Sequence, residues 1–230
     1  MNGGHAIRLW RLAGLAALVM VVLSVRFASI PGIDACKAPG DPILAFELVA
    51  SPAEADALFP PDCRAAELAA QRSALKLDNY AFAPAYGLFL VLALYAQLGE
   101  RSRRSRRTIH VLVAAVVVVM LADWLENSRL ALLADSFPGS AALIGELYPV
   151  VRVKFVLMGL VLALIGALHV RAGGLRRVAG AIIAAAGAWT AAATVVAPHG
   201  LTLPNSIAWG TLVVLSAVLA VRPPRPIASA

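Results

Sequence analysis

Residues 111–127 read VLVAAVVVVMLADWLEN, so a run of twelve apolar residues leads directly into Asp123, Glu126 and Asn127. On an α-helix these three polar residues stand at positions i, i+3 and i+4 and therefore share one face. Ionisable groups in or near lipid are costly, and they are usually paired with one another or used for function. The stretch therefore predicts a membrane helix with a polar site at one end.

The composition of the chain indicates an integral membrane protein. Of its 230 residues, 60% are hydrophobic and only 14% are charged, whereas soluble domains are about one quarter charged. The net charge of +7 could suggest nucleic acid as a partner. Most arginines, however, lie in short clusters beside apolar segments, which is the pattern of membrane topology signals. We therefore expect membrane lipids as partners and no nucleic acid.

The apolar segments predict an all-α, polytopic bundle in a single membrane domain. Each segment has the roughly 20 residues that about 30 Å of hydrocarbon requires. We expect the first helix to remain uncleaved, because its possible cleavage sites lack small residues where a signal peptidase needs them. Six transmembrane helices are predicted at about residues 12–30, 79–98, 108–127, 150–170, 178–197 and 203–221.

Residues 31–78 differ from the rest of the chain and predict a small helical loop. Pro31-Gly32 and Pro60-Pro61 break it, and short helices are expected between the breakers, at 43–59 and 63–77. Ser51 followed by Pro52 and Glu54 is typical of a helix N-terminus. We expect these helices to lie on the membrane surface.

The distribution of arginine predicts the orientation. With six crossings and a cytoplasmic N-terminus, all the arginine clusters fall on the inner side, as the positive-inside rule requires. Both termini are then cytoplasmic, and residues 31–78 are extracytoplasmic. The composition favours a bacterial inner membrane, that is, a plasma membrane. The inner arginines are Arg8, Arg11, Arg101, Arg103, Arg104, Arg106, Arg107, Arg171, Arg176, Arg177, Arg222 and Arg225.

The two cysteines of the chain, Cys36 and Cys63, both lie in this loop. In an oxidising compartment two isolated cysteines usually form a structural disulfide. The alternative is a reactive dithiol. We predict the disulfide.

Charged residues of four helices are predicted to lie at one depth. A rise of 1.5 Å per residue puts both Asp123 and Lys154 about 8 Å below the outer boundary of the hydrocarbon, which makes them the expected pair. Three bases and three acids occupy this slab, so their formal charges cancel. The predicted cluster consists of Arg26, Asp78, Asp123, Glu126, Asn127, Arg152 and Lys154.

This cluster has two interpretations. It can be a network of ion pairs that only holds the helices together. It can also be an outward-facing polar pocket, opened by a kink at Pro84. The further residues expected to line such a pocket are Tyr80, Tyr86, Asn205 and Trp209.

No motif in the sequence indicates a catalytic or metal site. The four histidines are scattered, and the patterns of zinc proteases, serine hydrolases and phosphate-binding loops are absent. We therefore expect no metal, no cofactor and no enzymatic activity.

Three functions remain open. The protein binds or senses a lipid headgroup or a small zwitterionic ligand, which a neutral cluster of both signs would suit. Alternatively, it is a small proton-coupled transporter that uses Asp123 or Glu126 as the proton carrier. The third alternative is a structural or assembly partner in the membrane that has no ligand. The apolar run at 111–122 offers no polar path and disfavours the transporter.

Overall fold

The computed structural model describes residues 3–38, 40–98 and 103–224. These residues form an all-helical protein without strands, and six of its helices are long and apolar enough to cross a membrane. The prediction of six such helices is thus confirmed. Arg101 and Arg225, which belong to the predicted inner arginine clusters, lie outside the described residues.

The helices of the described residues follow one another along the chain with short connections. A π-helical turn at Asp78–Phe82 joins α4 to α5, and a 3₁₀ turn at Pro198–Gly200 precedes α9. The α-helices are α1 (Gly3–Ala28), α2 (Pro42–Glu47), α3 (Pro52–Leu58), α4 (Pro61–Leu77), α5 (Ala83–Ala96), α6 (Arg103–Asp135), α7 (Ala141–Val170), α8 (Gly174–Val196) and α9 (Thr202–Val221).

The second long helix differs from the sequence prediction. The segments expected as a surface helix at 63–77 and a span at 79–98 form one continuous helical rod, Pro61–Ala96. The rod changes its hydrogen-bonding pattern at the π turn, where the N–H of Ala83 donates to the carbonyl of Asp78. Pro84 follows directly and has no N–H to continue the ordinary pattern. The predicted local disturbance at Pro84 therefore appears as a π turn just before it.

Helices α6 and α7 are also longer than the spans predicted for them. They contain 33 and 30 residues, which correspond to about 50 Å and 45 Å. Pro149, expected to precede the fourth span, lies inside α7. The helix continues because a proline removes only one hydrogen bond, a loss that packed membrane helices tolerate. Both helices are therefore longer than a 30 Å hydrocarbon layer is thick.

The C-terminal end of α6 and the N-terminal end of α7 carry a second apolar core, separate from the core among the long helices. We call it the upper core. It joins the short helices α2 and α3 to α4, α6 and α7, so the predicted surface loop is packed against other helices. Its members include Phe46, Phe59, Leu68, Leu130 and Leu147.

The predicted disulfide between Cys36 and Cys63 is present, with the two Cα atoms 5.2 Å apart. It ties the segment after α1 to the first turn of α4. The predicted cap also forms, because the Ser51 hydroxyl accepts a hydrogen bond from the N–H of Glu54 at 3.1 Å. These local contacts fix the loop around the upper core.

The closest helix pair is α7 with α8, where glycines face each other. A Cβ atom placed on Gly187 would lie only 2.7 Å from the carbonyl oxygen of Gly159. Small residues recur at every fourth position of α8, at Gly180, Ala184, Ala188 and Ala192, but the contact with α7 does not continue to the last two. Those two alanines are exposed. The contact instead uses Gly180 and Gly187, which are seven residues apart. Seven residues come closer to a whole number of helical turns than eight do, so these two glycines lie on nearly the same face of α8.

Candidate functional site

The ammonium group of Lys154 lies at the centre of a buried cluster of carboxylates. Its Nζ atom is 2.7 Å from Glu126 Oε1, 3.1 Å from Asp123 Oδ1 and 3.2 Å from Glu47 Oε2. The predicted pair of Asp123 and Lys154 is therefore present. A lysine ammonium has three N–H donors, so these three acceptors use its full donor capacity.

Three separate elements position this cluster. Asp123 and Glu126 lie one helical turn apart on α6 and face Lys154 on α7. Glu47 is the last residue of α2, and the neighbouring Phe46 is buried in the upper core. The packing of the upper core thereby holds a carboxylate from outside the long helices against a lysine within them.

A second set of hydrogen bonds extends the cluster to α5 and the π turn. The Tyr86 hydroxyl donates to Asp123 Oδ2 at 2.9 Å. The amide nitrogen of Asn127 donates to Asp78 Oδ2 at 2.7 Å and to Asn79 Oδ1 at 3.1 Å. The π turn thus aims both Asp78 and Asn79 at α6.

These side chains border a cavity of about 350 Å³, which we call the Lys154 chamber. Its volume falls in the roughly 300–1,000 Å³ range of small-molecule sites. Helices α1, α2, α4, α5, α6, α7 and α9 and the π turn contribute to its wall. Besides the charged cluster, the wall contains the aromatic residues Phe27, Phe82, Tyr86, Phe155 and Trp209.

Several buried acceptor oxygens in or beside the chamber have no donor among the described residues. They are Oδ1 of Asn127, Oδ1 of Asn205 and Oε2 of Glu126. Asn127 and Asn205 line the chamber, and Glu126 lies behind it with a wholly buried side chain. Buried acceptors are normally satisfied by protein, water or ligand. Oδ1 of Asn127 and Oδ1 of Asn205 therefore offer the chamber two acceptor positions that water or a ligand can fill.

Five of the seven predicted cluster residues come together: Asp78, Asp123, Glu126, Asn127 and Lys154. Arg26 and Arg152 do not. Arg26 is exposed on α1, whereas Arg152 lies 4.0 Å above the Tyr148 ring and donates to the Thr194 carbonyl at 2.7 Å.

Arg152 lies outside the cluster because of rotation around the helix axis, which the depth estimate did not include. Two residues along a helix turn the side chain by about 200°. Arg152 therefore points away from the face that carries Lys154. The expected cancellation of charge is lost, because one ammonium group contacts three carboxylates and Asp78 adds a fourth in the same cluster.

Glu47 and Asn79 belong to the site but were absent from the predicted cluster. The depth estimate considered only charged residues in the apolar spans and at their edges, and Glu47 lies in the loop. The sequence signal that could have identified Glu47 is its position between the apolar residues Phe46 and Leu48. Tyr86, Asn205 and Trp209 line the chamber, as predicted for a pocket. Tyr80 does not, because it is 85% exposed.

The surroundings of Glu47 change its acidity. Burial raises the pKa of its carboxyl group above the usual range, and the charge of Asp123 acts in the same direction. The nearby Lys154 ammonium opposes this shift without cancelling it.

No protein-family model, curated protein or solved structure matches this chain. Function is therefore inferred from the contacts, burial and charge of the Lys154 chamber. Within the described ranges, no group of three or more histidine, cysteine, aspartate or glutamate side chains is arranged to hold a metal ion.

Proposed function

We propose that this protein crosses a bacterial inner membrane six times, with both termini in the cytoplasm and residues 31–78 outside. The six long apolar helices and the one-sided arginine clusters support this topology. The Lys154 chamber then opens in the outer half of the protein, beneath the disulfide-stapled loop.

In this arrangement the chamber binds or senses a small polar ligand, either a lipid headgroup or a free small molecule. The observation that carries this function is the cavity of about 350 Å³ bordered by buried charged groups. Protein interiors are close-packed, and a network that served only to join helices would leave little space. The acceptors without donors on Asn127 and Asn205 also favour a site that is completed by another molecule.

The apolar layer beneath the chamber favours binding over transport. Leu90, Val116, Leu162 and Ile165 are buried there in one continuous core. A proton carrier at Asp123 or Glu126 would need polar groups or water leading to the inner face. The purely structural alternative predicts a closed, inaccessible cavity, and this difference can be tested.

Cysteine labelling tests the proposed function. Both native cysteines form the disulfide, so a new cysteine is the only free thiol. Ala74 and Ala70 are both buried on α4, but of the two only Ala74 lines the chamber, so Ala70 serves as the matched control. A membrane-impermeant maleimide added outside intact cells should modify Ala74→Cys and leave Ala70→Cys unmodified. Equal lack of labelling at both positions would contradict an outward-facing binding chamber.

A further inference from the structure

We propose that the ligand of the Lys154 chamber is an organic cation, with an ammonium nitrogen on a short aliphatic stem. This inference rests on the proposed function and deepens it by naming the ligand class. The neutral cluster expected from the sequence would suit a zwitterion held at both ends. The arrangement in the structure instead suits a positive charge.

The charge of the chamber supports a cation. The chamber is lined by one ammonium group, that of Lys154, and by the four carboxyl groups of Asp41, Glu47, Asp78 and Asp123. Glu126, outside the lining, also pairs with Lys154. Buried carboxylates need a compensating cation or a proton. An anionic ligand group would have to displace a carboxylate from Lys154, because all three of its N–H donors are already used.

Two acceptor atoms without a hydrogen-bond donor also support a cationic ligand. Asn127 is 1% exposed, and its amide nitrogen is committed to Asp78 and Asn79. This commitment fixes the amide orientation and leaves Oδ1 as the unpartnered atom. Asn205, across the chamber on α9, also has an unpartnered Oδ1. Both positions need a donor, which an ammonium group or a hydroxyl on its stem supplies.

The aromatic wall favours an organic cation over a bare metal ion. Phe27, Phe82, Tyr86 and Trp209 form a chain of neighbouring rings, with successive centroids 5.3, 5.8 and 6.0 Å apart. Aromatic faces attract ammonium groups, including quaternary ones, while covering the attached carbon atoms. The chamber already contains one such contact, because Lys154 Nζ lies 4.5 Å from the Phe155 ring centroid.

Binding can be measured on the purified full-length protein in detergent through the fluorescence of Trp209. The probes are choline, ethanolamine and 3,3-dimethyl-1-butanol, the uncharged carbon analogue of choline. Choline or ethanolamine should change the fluorescence saturably, and the uncharged analogue should not. Trp209→Phe should abolish the signal, which assigns it to the chamber. Equal responses to choline and its carbon analogue, or no response to either amine, would overturn the proposal.

A charge-removing variant sharpens the test. Asp78→Asn keeps an oxygen for the Asn127 amide but removes the negative charge, and it should weaken binding roughly tenfold or more. Glu146→Gln, on the exposed surface of α7, is the matched control and should bind as the wild type does. Thermal unfolding confirms that each variant is folded. Unchanged affinity in a folded Asp78→Asn variant would also overturn the proposal.

The ligand can be a free amine or the headgroup of a lipid, since both carry the same ammonium chemistry. Nanodiscs made from phosphatidylcholine or phosphatidylethanolamine, compared with phosphatidylglycerol, distinguish the two. Loss of the choline response only in the amine-containing discs identifies a lipid headgroup, and an equal response in all discs identifies a free amine. Labelling of Ala74→Cys without selective cation binding would support the binding chamber and refute only the ligand class.

Discussion

Glu126 approaches Lys154 more closely than either of the other carboxylates, with Oε1 2.7 Å from Nζ. The Glu126 side chain is completely buried, and its second oxygen has no donor among the described residues. Depth alone had favoured Asp123 as the partner. Asp123 instead divides its two oxygens between Lys154 and Tyr86. Lys154 is therefore the shared counter-ion of three carboxylates.

Removal of this shared cation should be strongly destabilising. Lys154→Met leaves three buried carboxyl groups without their ammonium partner, so the free energy of unfolding should fall by about 3–5 kcal/mol. Adding Glu126→Gln should recover part of the loss, because one uncompensated carboxyl group is then removed. Denaturant unfolding of the detergent-solubilised protein measures both changes. Strictly additive losses would contradict the pairing.

The chain contains a matched surface pair for comparison. Arg129 and Glu146 also join α6 to α7, at 3.3 Å, but their side chains are 36% and 59% exposed. The double change Arg129→Met with Glu146→Gln should alter stability by less than about 1 kcal/mol.

The raised pKa of Glu47 predicts a pH dependence. The neutral carboxyl group suits the buried position, so its contribution to stability is complete at low pH. That contribution is lost as the pH rises from about 4.5 through the raised pKa. Relative to the wild type, Glu47→Gln should therefore gain thermal stability between pH 4.5 and pH 8. A difference in thermal stability between Glu47→Gln and the wild type that stays the same across this pH range would refute the prediction.

The disulfide should stabilise the loop measurably. Its cysteines are 27 residues apart, for which chain entropy gives about 3–4 kcal/mol. Cys36→Ser with Cys63→Ser should lower the unfolding free energy by that order. Thiol labelling of the unreduced wild type should find no free cysteine, and modification of both cysteines would contradict the bond.

The close approach of α7 and α8 should not tolerate a methyl group. In Gly159→Ala the new Cβ would lie 2.6 Å from the Ala191 nitrogen and 2.7 Å from the Gly187 oxygen. Overpacking of this kind costs about 1–3 kcal/mol. Gly145→Ala is the control on the same helix, because no atom lies within 4 Å of the added Cβ. It should be neutral or slightly stabilising, and equal effects would contradict the predicted contact.

The proposed topology has a direct test. Reporter fusions placed after Ala53 and after Arg104 should give signals from opposite sides of the membrane, outside and inside respectively. The basis is the concentration of arginine on one side of the six spans. Signals from the same side would exclude the six-span arrangement.

The sequence was sufficient to predict the six long apolar helices, the disulfide and the pairing of Asp123 with Lys154. Apolar length identifies membrane helices, and the spacing of Asp123, Glu126 and Asn127 identifies their shared face. The exclusion of Arg152 follows from its spacing of two residues from Lys154, which the depth estimate ignored. The position of Glu47 depends on long-range packing of the loop in the upper core, and no short sequence pattern encodes it.

The distance along the chain between Glu47 and Lys154 has a consequence for biosynthesis. Asp123 precedes Lys154 by 31 residues along the chain. At a synthesis rate of about 5–20 residues per second, Asp123 is therefore made about 2–6 s before its counter-ion. Glu47 precedes Lys154 by 107 residues, so the interval between their syntheses is longer still. The nascent chain therefore contains these acidic groups before it contains the lysine that pairs with them. Only after α7 has been made can Glu47 and the short helix α2 take their place against Lys154.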